Sequence, residues 1–562
     1  MLGTIDIIII AAYLVLLILL GIYLRNKADQ GISHFFLSGK KLPWWIAGTS
    51  MAASAFSADT PLYVTDITRN GGIGANWEWW CYAIGGAFSV YYLARLWRRA
   101  GVLTDIELAE LRYDGLGARI LRASRAIIFS CIINCIAMAL VIKAISQILG
   151  ESLNIDPAII VPICLVVTLS YSLLSGFWGV VVSDFLQFFL ALFGAILLAY
   201  YAVTAVGGMD EMLGQLSIMT PEKQPFNLLP RESAGFWGTL PAMLIIMLGM
   251  QWWAFINSDG GGKIIQRQLA CKDETAASNA TLWFLFTHYV LRTWPWIIVA
   301  LCSMVLIPET VKGTSAYTAV MLKVLPEGRR GFMIATFLAA FMSTIDTQLN
   351  WGTSYFVNDF YSRFLKPQAS QKHLLVISRL MSIIFLALAG IITFYTDSVT
   401  SIFRFMLSMG AGVGPIYLLR WFWWRINAWS ELVAMISSMI TATYCRSSGM
   451  PLQETLLITL AVSLPLAIIV TYLTPPVSDK QLVEFTNKTR PFGFWGKYRT
   501  AENKADSWLP AFCGWISLTI SLFLLLFGTG WIIFGRLLSG LIPILIAIPF
   551  AIYAVRQAGK KV

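Results

Sequence analysis

Apolar runs of about 18 to 25 residues recur along the whole chain, each long enough to cross a hydrocarbon core roughly 30 Å thick. Inside lipid every backbone N–H and C=O has to be bonded within the protein, so such runs fold as membrane-spanning helices. Composition agrees. Of the 562 residues 57% are hydrophobic and 13% charged, and the mean hydropathy is +0.70. A soluble domain is excluded, and the class is an all-α polytopic membrane protein with about fifteen spans.

The net charge of +11 does not point to nucleic acid, because the Lys and Arg residues sit in short loops between spans and not on one face. The bias of basic residues toward cytoplasmic loops explains them. The first run, Ile5 to Tyr23, has no basic residue before it and is followed by Arg25, Lys27, Lys40 and Lys41. It reads as an uncleaved helix with its N-terminus outside, not as a signal peptide. The basic loops Arg95–Arg125, Tyr361–His373 and Thr474–Asp506 then fall in the cytoplasm, as do Arg556, Lys560 and Lys561 at the C-terminus. The loop Gly207–Glu232, with four acids against two bases, falls outside, and so does the basic loop Pro308–Arg330, the one exception. Compact loops fit a bacterial inner membrane. Eight scattered cysteines and three histidines give no transition-metal or redox site; Cys131 and Cys135, one helical turn apart, suit small core residues.

The runs are ordered. After an extra N-terminal helix and its loop (1–43), five apolar helices occupy 44–206; an extracellular loop (207–235) follows, then five more at 236–424, and peripheral helices with a cytoplasmic loop (474–507) complete 425–562. Five helices per group give the groups opposite topologies, the layout of an inverted repeat whose sites lie at the midplane on interrupted helices. The first helix of each group carries an interruption. Ala52-Ala-Ser-Ala-Phe-Ser-Ala-Asp-Thr-Pro61 combines small residues with a proline, whose missing N–H frees the carbonyl of Ser57. The helix at 236–257 ends in Asn257-Ser-Asp-Gly-Gly-Gly262. This glycine run is no phosphate loop, since GK[ST] does not follow.

Within the apolar segment 332–357, Ser343, Thr344, Asp346, Thr347 and Asn350 fall mostly on one helical stripe. An ionisable group in mid-membrane costs about 2.5 to 3.5 kcal/mol and marks a functional position. The stripe offers oxygen ligands only, which suits a hard cation such as sodium. Hydroxyls bonding back to their own helix are the bland alternative.

Several ordered segments carry a family likeness: Trp44-Trp-Ile-Ala-Gly-Thr-Ser50, Ser175-Gly-Phe-Trp-Gly-Val-Val-Val-Ser-Asp-Phe-Leu-Gln187, Gln266-Arg267, the stretch Ala339–Tyr361, and Gly414-Pro415 through Trp421 to Asn427-Ala428. The chain resembles the sodium/solute symporter family, which includes sodium-coupled sugar, proline and sialic acid transporters. The resemblance implies a LeuT-type 5+5 inverted-repeat core and a sodium site made of the Ala53, Phe56 and Ala340 carbonyls with the Ser343 and Thr344 hydroxyls. Asp184 matches an acidic position that some relatives use for a second sodium ion or its exit path, and Asp346 with Thr347 stands where other branches place hydroxyls. A second cation site at Asp184, Ser343, Asp346 and Thr347 is one reading; Asp346 as the partner of an intramembrane arginine such as Arg404 is the other.

For the solute, the central cavity expected between the broken helices offers Ser57, Asp59, Thr60, Asn257 and Asp259. Glu78, within Asn76-Trp-Glu-Trp-Trp80, falls where sugar-transporting relatives have a sugar-binding glutamate, and Arg292 lies one position from a substrate-contacting lysine. Acids flanked by aromatics suit polyhydroxylated rings and also organic cations, while the tryptophans equally suit an interfacial belt. Ala55 replaces a polar residue of the relatives, so no one relative's solute carries over. The expectation is a sodium-coupled secondary active symporter that imports a small polar organic solute, sugar-like by preference, by alternating access across a lipid bilayer, with no cofactor beyond the coupling ion. An amino-acid or carboxylate symporter, proton coupling, and a transporter-like membrane sensor are the alternatives. A membrane enzyme is disfavoured because no nucleophile, base or metal set is present.

Overall fold

A computed structural model of the chain describes every residue except 1, 29–36, 38–39, 56, 233–235, 255–258, 260–261, 396–397, 501–505 and 561–562, with backbone alone at 18, 20–22, 24–28, 170–176 and 178–179. The fold is helical. The first half comprises α1 (Thr4–Ala28), α2 (Trp44–Ala55), α3 (Asp59–Gly71), α4 (82–100, with a π turn at Ser89–Leu93), α5 (Gly115–Leu153) and α6 (Pro157–Val206). The second comprises α7 (Leu240–Gly249), α8 (Gly262–Ala270), α9 (Glu274–Leu306), α10 (Arg329–Ser354), α11 (Gln371–Phe394) and α12 (Val399–Phe422). Four further helices follow: α13 (Ala428–Ser447), α14 (Leu452–Leu473), α15 (Trp508–Ile533) and α16 (Leu537–Gly559). Among the described residues nine helices are long and apolar enough to span a membrane, and three shorter apolar ones run at Thr4–Leu17, Pro157–Leu169 and Leu240–Trp253.

Both interruptions exist, with differences in detail. The first falls between α2, which ends at Ala55, and α3, which starts at Asp59. Pro61 sits in the first turn of α3, where a missing N–H costs no helical bond. The Ser57 carbonyl it was expected to free accepts instead from Thr60 N, at 3.2 Å. The second break comes earlier than the glycines imply: α7 stops at Gly249, a single 3-10 turn follows at Gln251–Trp253, and helix resumes at Gly262. In contrast, the apolar runs 158–175 and 181–206, which read as two spans, form one helix, α6, unbroken through 176–180. Only Gly176 and Gly179 fall there, and glycine weakens a helix without ending it as proline does.

Burial orders the helices from centre to rim. The most apolar window of the α10 span is 94% buried, against 22% for α16, whose apolar side chains face outward. Around α10 pack α1, α2 and α6, while α2 also contacts α8 and α9. The entry of α1 is fixed by Asp6, whose Oδ1 accepts from the N–H groups of Gly328 and Gly331, both at 2.7 Å, and so caps the N-terminus of α10. Gly328 has φ 80, and a side chain at Gly331 would collide with the Asp6 backbone, so glycine is needed at both positions.

Candidate functional site

Between the two breaks lies a cavity of about 310 Å³, lined by residues of α2, α3, α4, α5, α8, α9, α10 and α12. Its walls are largely aromatic, including Tyr63, Trp79, Trp252, Phe284, Trp351 and Phe403. Tyr63 and Phe403 approach to 4.7 Å between ring centroids. Ser57, Asp59 and Thr60 line the cavity as predicted, and so does Thr344. Several polar side chains there were not foreseen: Lys263, His288 and Gln348, with Trp351. On this wall Ser57 lies in hydrogen-bonding contact with Asp59 and Trp351 with Tyr355, while among the described residues Gln348 Oε1 is buried without a hydrogen-bond partner. A buried unsatisfied polar group costs about 1 to 3 kcal/mol, so this wall is built for a ligand that hydrogen-bonds. Lys263 is anchored through the first break: its Nζ donates to the Ser54 carbonyl at 2.6 Å.

Next to the cavity, α2 and α10 are packed together. Ala53, Ala340, Ser343 and Thr344 are buried along this seam, each less than 3% exposed; Phe56 lies outside the described residues. Ser343 Oγ donates to Asp184 Oδ1 at 2.6 Å. With its proton committed, the hydroxyl keeps its lone pairs for a cation. The residues therefore fit a sodium ion, which needs oxygen ligands without competing protons.

Of the four residues of the expected second cation site, Asp184, Ser343 and Thr347 meet, with Arg267 among them. Asp184 Oδ2 accepts from Ser50 Oγ at 2.5 Å and from Arg267 Nη2 at 3.1 Å, and the same Nη2 donates to Thr347 Oγ1 at 2.7 Å. Arg267 Nε adds a bond to Ser50 Oγ at 3.0 Å. The positive charge between Asp184 and Thr347 is thus a guanidinium, contributed by α8. Asp346, also buried, acts electrostatically on Tyr13 and so lies toward α1.

Three predicted solute residues stand elsewhere. Glu78 is paired with Arg404, Oε1 to Nε at 2.8 Å and Oε2 to Nη2 at 2.9 Å, and is not part of the cavity wall. This also corrects the expectation that Arg404 pairs with Asp346: a carboxylate within bidentate reach takes the guanidinium. Asp259 is held by Arg420 at the end of α12, and its carbonyl accepts from Trp97 Nε1 at 2.9 Å. Arg420 also donates to Glu431 at 3.1 Å, which accepts from Tyr113 at 2.6 Å and lies 3.4 Å from Arg125. This buried network fixes the second break to α12 and α13 and removes Asp259 from the cavity. Arg292 bonds the His288 ring and lies over Phe188 and Trp296, at 5.6 and 5.5 Å, between helices and not on the wall. Asn257 lies outside the described residues.

Comparisons with known proteins agree with this geometry. The model of the sodium:solute symporter family matches residues 35–438. Sodium/glucose cotransporter 4 of Danio rerio is 25% identical over 548 residues, covering 86% of this chain and 81% of the relative. The sodium/glucose cotransporter of Vibrio parahaemolyticus is 24% identical over 506 residues, 85% of this chain and 92% of the relative. Human sodium/myo-inositol cotransporter 2 is 25% identical, covering 77% and 68%. Among solved structures, a Na+-coupled sialic acid symporter in a substrate-bound outward-open state superposes with TM-score 0.70 at 20% identity, covering 85% of this chain and 99% of that one. The nucleobase-cation-symport-1 family transporter Mhp1 reaches TM-score 0.50 at 13% identity, covering 80% and 97%. At these identities the structures establish the fold alone.

Proposed function

The chain belongs to the sodium:solute symporter family, and on that premise we propose that sodium binds at the seam of α2 and α10 while a small polyhydroxylated solute fills the adjoining cavity. Like its family it is a multi-pass membrane transporter and not an enzyme, and sodium is its coupling ion. The observation that carries the solute reading is the set of polar side chains at Ser57, Asp59, Gln348 and Trp351 on the cavity wall, set among aromatic rings. A sugar-like molecule supplies hydroxyls to those groups and C–H faces to the rings.

The sodium ligands are the Ala53 and Phe56 carbonyls of the first break, the Ala340 carbonyl, and the Ser343 and Thr344 hydroxyls. Thr344 touches both sites, since it also lines the cavity. Sodium held there joins α2 to α10 and so favours the conformation in which the cavity wall is complete, which raises solute affinity by population shift. Arg267 already balances Asp184, so we assign one sodium ion to this region and no second site to Asp184, Asp346 and Thr347. One charge moved through 100 mV is worth about 2.3 kcal/mol, enough for roughly fiftyfold accumulation of a neutral solute before the sodium gradient is added. The N-terminus lies outside and the C-terminus in the cytoplasm, following the basic loops.

The test needs no solute. The thermal unfolding midpoint of the detergent-purified protein should rise in sodium relative to equal potassium, because a ligand bound only by the folded state stabilises it by mass action. Ser343→Ala should weaken that rise. Equal midpoints in the two salts would remove sodium from the reading.

A further inference from the structure

A second cavity, of about 240 Å³, lies away from the solute site, near the ends of α4 and α16 and the start of α15. Three segments that the basic loops assign to the cytoplasm meet there: Arg95 of α4, Asp506 and Ser507 before α15, and Lys560 after α16. Tyr91, Arg95 and Phe492 form a buried floor, while Ser507 and Lys560 are exposed at the rim. Arg95 Nη2 donates to the carbonyls of Lys560, Ala558 and Gln557, at 2.9, 3.1 and 3.5 Å, and so answers the negative end of α16. Its Nη1 stays 3.8 Å from Asp506, beyond hydrogen-bond reach. Asp506 is held instead by Arg99 Nη2, at 3.1 and 3.0 Å. A guanidinium has five N–H donors, and among the described residues those on Nε and Nη1 of Arg95 make no hydrogen bond, although the side chain is buried at 9% exposure. From the opposite wall α15 presents its N-terminus. Ser507 supplies no side-chain cap, and the first-turn N–H groups of Trp508 and Leu509 have no intrahelical partner. Such an end attracts an anion. Beside the cavity, Trp508 and Leu509 on α15 and Ile552 and Val555 on α16 are exposed apolar side chains of rim helices, which face lipid.

We propose that this cavity holds the headgroup of an anionic glycerophospholipid. Its phosphate lies against Arg95, Lys560 and the first turn of α15, and its acyl chains run along the outer faces of α15 and α16. Phosphate oxygens accept from the free donors of Arg95 in charge-assisted hydrogen bonds. A zwitterionic lipid carries its own ammonium beside the phosphate and gains less from the same groups. The bound lipid ties the rim helices to α4, the helix that brings Tyr82, Gly85 and Ser89 to the solute cavity.

The full chain, delipidated in detergent, is titrated with dioleoyl-phosphatidylglycerol, dioleoyl-phosphatidylcholine or glycerol phosphate. The readouts are the thermal midpoint and the lipid adducts retained in native mass spectrometry. Salt is kept at about 0.15 M, which screens diffuse surface attraction beyond about 8 Å. Phosphatidylglycerol should raise the midpoint at a lower mole fraction than phosphatidylcholine, and should be retained as an adduct. Lys560→Glu, a change at the exposed rim, should raise the phosphatidylglycerol needed roughly tenfold. Arg556→Glu alters the net charge of the same helix equally but lies outside the cavity wall, and should leave the requirement within about twofold. Wild-type midpoints in detergent alone show that both variants are folded. An equal response to the two lipids, equal losses in the two variants, or no response to either lipid would each overturn the proposal. Stabilisation by glycerol phosphate that matches the lipid would assign the cavity to a soluble phosphate ester and overturn the lipid reading.

Discussion

Arg267 joins four helices through one guanidinium, and its removal can be sized from the contacts. The side chain and that of Asp184 are both 0% exposed, so neither charge has water to fall back on. Breaking a buried pair by deleting one partner costs about 3 to 5 kcal/mol. In Arg267→Met the stranded carboxylate still receives the Ser50 and Ser343 hydroxyls, at 2.5 and 2.6 Å, so the loss should fall at the lower end, about 3 kcal/mol. Asp184→Asn strands the guanidinium instead, which keeps Thr347 and Ser50 as acceptors at 2.7 and 3.0 Å, and should cost a similar amount. The double variant removes both charges together. It should lose less than the sum of the singles, with a coupling of about 2 kcal/mol. Reversible unfolding in mixed micelles, with a mild detergent titrated by a denaturing one, measures all four corners of the cycle. Additive losses would refute the reasoning, because they would mean that Arg267 and Asp184 are stabilised independently. Arg267→Lys should not rescue, since one ammonium cannot reach Asp184, Ser50 and Thr347 with a planar fork.

Two further outcomes follow from contacts away from the cavity. Asp6→Ala removes the cap on α10 and should cost about 1 kcal/mol, read as a lower unfolding midpoint; Asp6→Asn, which keeps the acceptor oxygen, should recover most of it. Glu78→Gln should change stability by less than about 1 kcal/mol, because its partner Arg404 is 46% exposed. It should also alter solute affinity by less than about tenfold, the minimum expected if a direct charge-assisted contact were lost; a larger loss would return Glu78 to the solute site.

What the sequence discloses depends on how local the cause is. The first break is legible because Pro61 and a run of small residues act within one helical turn, and the stripe from Ser343 to Asn350 is legible because helical spacing places it on one face. The partners of the charges are not. Asp184 and Arg267 lie 83 residues apart, Asp259 and Arg420 161, and Glu78 and Arg404 326, and nothing in the intervening chain says which carboxylate each guanidinium meets. Glu78 and Asp259 read as cavity residues because they are acids beside a break or an aromatic cluster, and both are claimed by arginines of α12. Lys263 is hidden in the sequence for the converse reason. After three glycines it looks like the end of a loop, and only the packing of α8 against α2 brings its ammonium to the Ser54 carbonyl.

The clasp between Asp6 and the first turn of α10 has a mechanical consequence. Since α1 is also packed along α10 and α6, and its Tyr13 hydroxyl accepts from Gln187 Nε2 at 3.0 Å, it is not a float in the lipid but a strut tied at its end and its middle to the helices that hold Ser343, Thr344 and Asp184. A movement of either helix would therefore be passed to α1. Tyr23, near the opposite end of α1 and 81% exposed, offers a place where a spectroscopic label would register that movement without entering the packed interior.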